Sequence, residues 1–428
     1  MDFNNRKQKT ENRKPVFPHP RLDRQLRIPG WNQEALEEAA VGVVGDDDLT
    51  ASLYVLSAAA LGVNRLVVVA PRLDPRLTHM ASRLNPQLDL VFLQGFFTHP
   101  VLADIFMGCR VLADLSRYGL ANKLLLNEAL RTNRPVVRAC CFEEGGQAGF
   151  QVFTYKKGRE WEELGKLISR AQLPGAPFPD VPLAVIAAAL ALEETKNLLL
   201  GRRVSETLVS YRRPSLPEND RDPAILVVGA GALGNFAGLA LAQSGFGNLT
   251  FMDPEAVEVT NLNRQVFFYD ALGRGKAETL TARLNESFGA RARFEAAVFG
   301  EDTDISPYEA VFDCVDNFET RLLISDACRR HKKILISGGS HVDAGQVVVY
   351  DPPRGGPTPG ELLGLPEIVG KRQKEDYGKG YSCLNRPEPA VIMTNQVIAG
   401  FMVDTYRRLL AGQGVENIFY DAGRDRRF

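Results

Sequence analysis

The sequence has no cysteines in a CxxC spacing, and its five histidines show no spacing typical of metal ligands. These absences exclude a structural zinc site built from paired cysteines, so we expect no zinc. The six cysteines also lack the framework of a small secreted protein. We therefore expect reduced thiols and a cytoplasmic protein.

Long hydrophobic runs and an excess of basic charge are also missing. The longest uncharged apolar run, VPLAVIAAALAL at 181–192, is too short to span a bilayer and predicts a buried helix. No apolar segment near the first residue indicates a secretory signal. The formal net charge is −1, and only residues 1–20, an expected flexible tail, are locally basic. We therefore expect neither a membrane nor a nucleic acid as partner.

The sequence does contain a repeated pattern. VGVVGDDDLTASL at 41–53 and ILVVGAGALGNFA at 225–237 each predict a buried strand, a tight turn and the start of a helix. Five more pairs of segments match in the same order. They are 60–71 with 244–254, 82–96 with 282–299, 111–139 with 311–338, 148–155 with 344–352, and 185–201 with 392–412. Each half alternates strands with helices. We therefore predict two tandem Rossmann-like α/β domains with doubly wound, mostly parallel sheets.

The domain boundaries are predicted from length and composition. A chain of 428 residues is long enough for two domains of ordinary size. We place the first at 21–205 and the second at 206–428, with a polar, proline-bearing linker near 202–223. Residues 352–390 are rich in proline, glycine and charge, and they predict a long irregular loop in the second domain.

The two copies differ where a ligand would bind. In GAGALG of the second copy, Gly229, Gly231 and Gly234 let the backbone approach a phosphate, and Asp253 after the next strand could hold a ribose hydroxyl. The first copy has GDDDLT instead, whose acidic side chains would repel a phosphate. We expect a degenerate first domain and an active second one. Taken alone, the glycine motif favours a domain that binds NAD or FAD.

Three further segments favour ATP. TNLNRQ at 260–265 supplies Asn261 and Arg264, and GRGK at 273–276 supplies Lys276, a point charge for a phosphate. VFDCVDNFETR at 311–321 places Asp316 after a strand, where an aspartate is well placed to bind Mg²⁺. We predict that Asp313, in the same segment, is structural. An ATP-dependent transfer at the α-phosphate needs this combination of cations and a metal ligand, whereas a dinucleotide oxidoreductase does not.

Together these motifs resemble the ThiF/MoeB/ubiquitin-activating-enzyme superfamily. RLDRQLR at 21–27 is similar to that family's opening signature, RYxRQ, and NIFYDAGRDRRF at 417–428 is similar to its last strands. The resemblance covers residues 21–428, and its most specific part is TNLNRQ combined with DxxDN. It implies a pseudodimer of an inactive and an active adenylation domain on one chain. The sequence leaves open whether this pseudodimer associates further.

The resemblance also implies a reaction. The C-terminal carboxylate of a ubiquitin-like or sulfur-carrier protein would attack the α-phosphate of ATP, giving an acyl-adenylate and pyrophosphate. The residues assigned in this way are Asp316 for Mg²⁺, Asp253 for the ribose, Asn261 for orienting the triphosphate, Arg264 and Lys276 for neutralising the phosphates, and Arg21 and Arg24 for the same task from the first copy.

A second step is implied for Cys383 in GYSCLNRPEP. In the family, a cysteine on this loop attacks the adenylate to form a thioester, or it serves sulfur transfer. Lys379 and Arg386 lie close to Cys383 in sequence and would favour the thiolate. Transfer to a ubiquitin-conjugating-like enzyme would follow. The alternative, an incidental loop cysteine, stays open.

The remaining cysteines and histidines have simpler interpretations. We predict that Cys314 and Cys328 belong to the core, and that Cys140 and Cys141 have no catalytic role. We expect His341 to be solvated or to have satisfied hydrogen bonds.

Several alternatives to conjugation remain open. The carboxylate could belong to a sulfur carrier of cofactor synthesis, to a ribosomal peptide or to a tRNA-linked substrate, although the near-neutral charge disfavours tRNA. A non-catalytic scaffold that binds a ubiquitin-like partner is a further possibility. The retained TNLNRQ, Lys276 and Asp316 argue against such a scaffold, because a protein that only binds does not need them.

Overall fold

A computed structural model of the chain describes residues 20–46, 49–158, 165–376, 388–424 and 427–428. These residues form two seven-stranded sheets, one in each half of the chain. The strands of the first sheet are β1 (Ala40–Val44), β2 (Arg65–Ala70), β3 (Asp89–Gln94), β4 (Val111–Asp114), β5 (Val136–Glu144), β6 (Gln147–Tyr155) and β7 (Val209–Pro214). Those of the second are β8 (Ile225–Val228), β9 (Leu249–Met252), β10 (Arg293–Glu295), β11 (Ala310–Asp313), β12 (Ile334–Ser340), β13 (Ala344–Tyr350) and β14 (Ile418–Asp421).

The described α-helices mostly follow the strands in the alternating order that the sequence predicts. They are α1 (Asp23–Leu26), α2 (Gln33–Glu37), α3 (Leu49–Leu61), α4 (Pro75–Leu84), α5 (Gly119–Thr132), α6 (Val181–Leu199), α7 (Ala232–Gln243), α8 (Lys276–Phe288), α9 (Phe318–His331), α10 (Pro359–Leu362), α11 (Leu365–Asp376) and α12 (Ile392–Leu410). Short 3₁₀ segments occur at Pro20–Leu22, Pro100–Phe106, Val259–Asn261 and Val266–Phe268.

Both sheets have the same topology, which confirms the predicted repeat and fold class. The strand orders are β3-β2-β1-β4-β5-β6-β7 and β10-β9-β8-β11-β12-β13-β14. In each sheet the first five strands are parallel and the last two pair antiparallel. The strand order reverses beside β1 and β8, and this is where ligands bind in doubly wound sheets.

Two long helices join the halves. α6 and α12 are buried over nearly their whole lengths and pack against each other. A Cβ added to Gly400 of α12 would lie 2.4 Å from Cγ1 of Ile186, so a glycine allows this close approach. Gln396 of α12 accepts a hydrogen bond from Ser57 of the first half (2.6 Å). One continuous hydrophobic core therefore runs through both halves.

The structure corrects two expectations about irregular segments. The predicted linker at 202–223 contains β7, which pairs with β6, so the first sheet continues past the predicted boundary at residue 205. The sequence of β7 hides its strand character because its outward positions are polar and charged, as is usual for an edge strand. The predicted loop at 352–390 contains α10, which begins with a capping box at Thr358, and then the twelve-residue α11.

None of the helices in the described part of the chain is long and apolar enough to cross a membrane.

Candidate active site

The glycine-rich turn of the second half connects β8 to α7. Gly229 has a φ of +97°, and a Cβ at this position would lie 2.7 Å from the carbonyl oxygen of Cys314. A Cβ on Gly234 would lie 2.1 Å from the carbonyl oxygen of Gly229. Gly231 is different, because the nearest atom to its added Cβ is Nε2 of Gln265, at 3.8 Å. Two glycines thus permit the turn, and the third leaves open space at the start of α7 for a ligand.

Asp253 lies next to this turn, directly after β9. Its Oδ2 accepts a hydrogen bond from the backbone N–H of Ala230 (2.8 Å), and its Oδ1 accepts one from Glu255 N (2.8 Å). Burial raises the pKa of Asp253, while these hydrogen bonds and the charge of Lys276 oppose that rise. The structure thus gives Asp253 a role in shaping the turn, and its assignment to a ribose stays a prediction.

Lys276 begins α8 and lies close to Asp253. Its side chain is 7% exposed, and its Nζ forms an ion pair with the exposed carboxylate of Glu255. The backbone N–H of Lys276 also donates to the carbonyl oxygen of Glu255 (2.8 Å). A buried ammonium whose partner is a solvated side chain can exchange that partner for a phosphate at little cost.

The segment TNLNRQ forms the 3₁₀ turn Val259–Asn261 and the residues after it. The side-chain oxygen of Asn261 accepts from the backbone N–H of Glu258 (2.9 Å) and completes a capping box. Its carbonyl oxygen accepts from the N–H groups of Arg264 and Gln265. Asn261 therefore holds its own segment in shape, and its proposed contact with the triphosphate stays a prediction.

Arg264 is the centre of a group of charges. It is 9% exposed, and its Nη1 donates to the carbonyl oxygen of Thr260 (2.9 Å) and to Oδ1 of Asn263 (2.8 Å). The pKa of Arg264 is lowered to about 10, because burial and the charge of Arg24 outweigh the opposing charges of Asp316 and Glu258. The structure therefore brings the predicted residues Arg24, Arg264 and Asp316 together.

The two aspartates after β11 have different environments. Asp313 is fully buried, and its Oδ2 lies 3.0 Å from Nη1 of Arg321 and accepts from the hydroxyl of Ser337 (2.6 Å). Burial raises its pKa, and Arg321 opposes that rise. Asp316 lies three residues further on and is exposed. Asp313 is structural, as predicted, and Asp316 is accessible to a metal ion.

Arg21 and Arg24 of RLDRQLR have different environments. Arg21 is 5% exposed, and its Nη1 donates to the carbonyl oxygen of Ala60 at the end of α3 (2.7 Å). The pKa of Arg21 is lowered to about 10, because the effect of burial outweighs the opposing charge of Glu37. Since its guanidinium caps a helix of the first half, the expectation that Arg21 reaches the nucleotide is not supported. A cation at the C-terminus of a helix is favourable, and this accounts for its place.

Arg24, in contrast, faces the second half. Its Nη1 donates to the carbonyl oxygen of Glu388 (3.0 Å), and its own carbonyl oxygen accepts from Ala390 N (3.3 Å). The 3₁₀ segment Pro20–Leu22 beside it packs against Val259–Asn261. The first half thus contributes one cation to the group around Arg264.

Three residues of the site were missed by the sequence analysis. Asn263 and Gln25 are fully buried and hydrogen-bonded to each other (3.2 Å), and Glu255 pairs with Lys276. Asn263 lies within TNLNRQ and Gln25 within RLDRQLR, so the motifs contained the signal. The roles of Gln25 and Asn263 depend on a contact between the two halves. The pattern of strands and helices along the sequence does not reveal such a contact.

The described residues around the corresponding turn of the first half make contacts within their own half. Asp46 occupies the position that Ala230 has in the second half, and its Oδ2 accepts from Arg117 N (2.9 Å). At the start of α5, the N–H of Gly119 donates to the carbonyl oxygen of Ala171 (2.6 Å). The backbone N–H of Ser169 donates to Oδ1 of Asn122, a residue of α5 (2.8 Å). Ser169 and Ala171 therefore pack against the start of α5, the helix that follows β4.

Of the remaining candidates, Cys383, Lys379 and Arg386 lie outside the described residues. Cys314 and Cys328 are buried, as predicted, and burial raises the pKa of both thiols. His341 is exposed, and its Nδ1 lies 3.7 Å from Asp343. Within the described ranges, no group of three or more His, Cys, Asp or Glu side chains could hold a metal ion by itself.

The chain is similar to several known proteins. Residues 218–421 match the model of the ThiF family. The chain is 39% identical over 140 residues to "Adenylyltransferase and sulfurtransferase MOCS3" of Anopheles gambiae, covering 31% of each chain. It is 36% identical over 280 residues to the Mus musculus protein of the same name, covering 62% of this chain and 55% of the relative.

The chain thus spans between about a third and about a half of the length of these curated relatives. It is also similar to E. coli MccB in a crystal structure with AMPCPP and MccA, at 19% identity and a TM-score of 0.39, over 47% of this chain and 62% of that one. On the family match, the chain carries a ThiF family domain over residues 218–421.

Proposed function

We propose that the protein uses ATP to adenylate the C-terminal carboxylate of a ubiquitin-like or sulfur-carrier protein. The observation that carries the proposal is the group formed by Arg24, Arg264 and Asp316, because the charges of Arg24 from the first half and of the accessible Asp316 both act on the buried guanidinium of Arg264. The group belongs to the same half as the open turn at Gly231. A triphosphate with its metal ion needs this combination of charges.

Mg²⁺ and ATP fit the residues that are present. Asp316 is an exposed carboxylate, a ligand type that Mg²⁺ prefers, and the metal keeps further sites for water and phosphate oxygens. When bound, the ion would neutralise charge on the phosphates. Among the described residues no side chain caps α7, so its first N–H groups remain available to a phosphate.

The chemistry assigns most of the work to position and charge. A carboxylate oxygen of the partner attacks the α-phosphorus, the bond to the β-phosphate oxygen breaks, and pyrophosphate leaves. Since the carboxylate is ionised at pH 7, it needs orientation and removal of charge repulsion more than a general base. We assign the neutralisation of the phosphates to Arg264, Lys276 and Arg24.

A second step at Cys383 is part of the proposal. Its thiolate would attack the carbonyl carbon of the adenylate, releasing AMP and forming a thioester that a conjugating enzyme could accept. Cys383 lies outside the described residues. In support, Glu388 and Ala390, which follow it closely in sequence, contact Arg24 of the adenylation group.

The relatives' name favours a second candidate for this later step. Both are called adenylyltransferase and sulfurtransferase, so the adenylate could be consumed by sulfur transfer instead of by conjugation. The adenylation step is the same in both cases. Since it consumes ATP, we place the reaction in the cytoplasm.

We propose that the first half is an inactive scaffold. The ion pair of Asp46 with Arg117 supports this assignment, because it lies beside the turn that corresponds to the glycine turn of the second half. The contacts of Ser169 and Ala171 with the start of α5 support it as well. In this proposal, Arg24 is the residue that the first half contributes directly to the active half.

The proposal is tested by ATP–pyrophosphate exchange with candidate ubiquitin-like and sulfur-carrier proteins. We expect Asp316→Ala to reduce exchange by roughly 10²–10³-fold. Asp326→Ala, a change at an exposed aspartate on α9, is the matched control and should leave exchange unchanged. Equal exchange in both variants would contradict the assignment of Asp316, and a protein that binds no nucleotide at all would favour the scaffold.

The second step needs a separate measurement. We expect Cys383→Ala to keep exchange and to lose the thiol-sensitive covalent complex with the partner. If the covalent complex forms in Cys383→Ala, the nucleophile is a different residue. A persulfide on Cys383 in place of a thioester would favour sulfur transfer.

A further inference from the structure

Asn263 connects the cation Arg264 to the first half of the chain. It is fully buried, and its Oδ1 accepts from Nη1 of Arg264 (2.8 Å). Its Nδ2 donates to Oε1 of Gln25 (3.2 Å) and to the carbonyl oxygen of Ala390 (3.2 Å). An asparagine amide has one acceptor oxygen and one donor nitrogen, so the two contacts on the nitrogen fix which end faces Arg264.

Gln25 is fixed by hydrogen bonds within the first half. It is fully buried, and its Nε2 donates to the carbonyl oxygen of Leu61 (2.8 Å) and to Oε1 of Gln33 (2.7 Å). Both donor positions are therefore used within the first half. Only the Oε1 end of Gln25 is left to face Asn263, and the orientation of one amide sets that of the next.

The position of Arg264 needs such support for an electrostatic reason. Arg264 and Arg24 carry the same charge, and the charge of Arg24 acts on the buried guanidinium of Arg264. Without a ligand between them they repel, and each is stabilised by neutral oxygens, Arg264 by Thr260 and Asn263 and Arg24 by Glu388. A small displacement of one cation would weaken their joint contact with phosphate, since catalytic rates fall steeply with misplacement.

We propose that Asn263 is a positioning residue for Arg264 and that Gln25 of the first half holds Asn263 in the orientation this needs. The inference rests on the proposed function. It gives the first half a second contribution to the active site, because Gln25 acts through Asn263 on a cation of the other half, whereas Arg24 supplies charge directly.

The test is a double-mutant cycle with Gln25→Leu and Arg264→Gln, each alone and both together. In the wild-type background we expect Gln25→Leu to lower kcat/KM for ATP in the exchange reaction by a factor of about 10–100. In the Arg264→Gln background we expect the same substitution to change exchange less than about twofold, since the residue it positions is gone. A purely structural role would reduce both backgrounds by the same factor, and this result would overturn the proposal.

A second variant protects the test from a folding defect. Asn263→Leu removes the acceptor for Arg264 directly, and in the same cycle it should show the same dependence on Arg264. Thermal unfolding of each variant shows whether a loss of exchange reflects unfolded protein. Wild-type exchange after either Gln25→Leu or Asn263→Leu would also overturn the proposal.

Failure of the proposed function gives a different pattern. If wild type binds ATP–Mg²⁺ but exchanges with no candidate partner, the same cycle is measured on ATP affinity with a fluorescent ATP analogue. Loss of affinity in Gln25→Leu that vanishes in Arg264→Gln supports the positioning role, and equal loss in both backgrounds contradicts it. Wild type that binds no nucleotide overturns both the proposed function and this inference.

Discussion

Asp46 and Arg117 form an ion pair in the first half at the place where the second half has its open glycine turn. Oδ2 of Asp46 lies 3.2 Å from Nε of Arg117 and accepts from its backbone N–H (2.9 Å). Asp46 is 4% exposed, so the pair is largely removed from water. The ion pair is thus part of the packing of its own half.

The first prediction follows from this pair. Asp46→Asn should lower the free energy of unfolding by about 1–3 kcal/mol, because it weakens a buried charged hydrogen bond, and it should leave ATP–pyrophosphate exchange unchanged. Urea unfolding and exchange assays measure the two effects. Asp326→Asn, at an exposed site, controls for the loss of one charge. A large loss of exchange with normal stability would mean that the first half is not an inactive scaffold.

The sequence predicted the repeat and the fold class, because strand and helix periodicity is a local signal. The grouping of Arg24 with Arg264 and Asp316 depended on the family resemblance, since Arg24 belongs to the other half. The sequence did not predict that Arg21 would turn to the carbonyl oxygen of Ala60, since Arg21 and Arg24 look equivalent until the chain is folded. The pair of Gln25 with Asn263 was missed for the same reason, because it joins residues from the two halves.

The second prediction separates two glycines of one motif. Gly234→Ala should destabilise the fold by about 1–3 kcal/mol, because its Cβ would lie 2.1 Å from the carbonyl oxygen of Gly229. Gly231→Ala should leave stability within about 1 kcal/mol, since the nearest atom lies 3.8 Å from the new Cβ, but it should weaken ATP binding about tenfold or more by filling the phosphate space. Unfolding curves measure the stability of both variants, and nucleotide titrations measure their ATP binding. Normal ATP binding in Gly231→Ala would place the phosphates elsewhere.

The third prediction concerns the reactivity of the thiols. Burial raises the pKa of Cys109 to about 11 and raises that of Cys314 and Cys328 as well. Since the thiolate is the reactive form, a disulfide reagent at pH 8 should not label these three in the folded protein. We expect a fast labelling phase that Cys383→Ala removes and Cys328→Ala keeps. A fast phase that persists in Cys383→Ala would contradict the assignment of Cys383 as the nucleophile.

The last prediction tests how the halves are held together. Asp404 of α12 is fully buried, and its Oδ1 lies 2.7 Å from Nε of Arg213 in β7 of the first half. Its Oδ2 accepts from the hydroxyl of Tyr211 (2.7 Å). Arg213→Met should destabilise the protein by about 3–5 kcal/mol, because it leaves a buried carboxylate without its cation. Arg221→Met, at an exposed pair with Glu309, should cost no more than about 1 kcal/mol.

The pH dependence of this loss gives the sharper test. Burial raises the pKa of Asp404 and Arg213 lowers it, so removing Arg213 raises the pKa further. A carboxyl group whose pKa is higher in the folded than in the unfolded protein binds its proton first in the folded state. The stability lost in Arg213→Met should therefore be largest at pH 8 and should shrink as the pH falls towards 5. A loss that grows with falling pH, or that is no larger than in Arg221→Met, would show that Asp404 does not depend on Arg213.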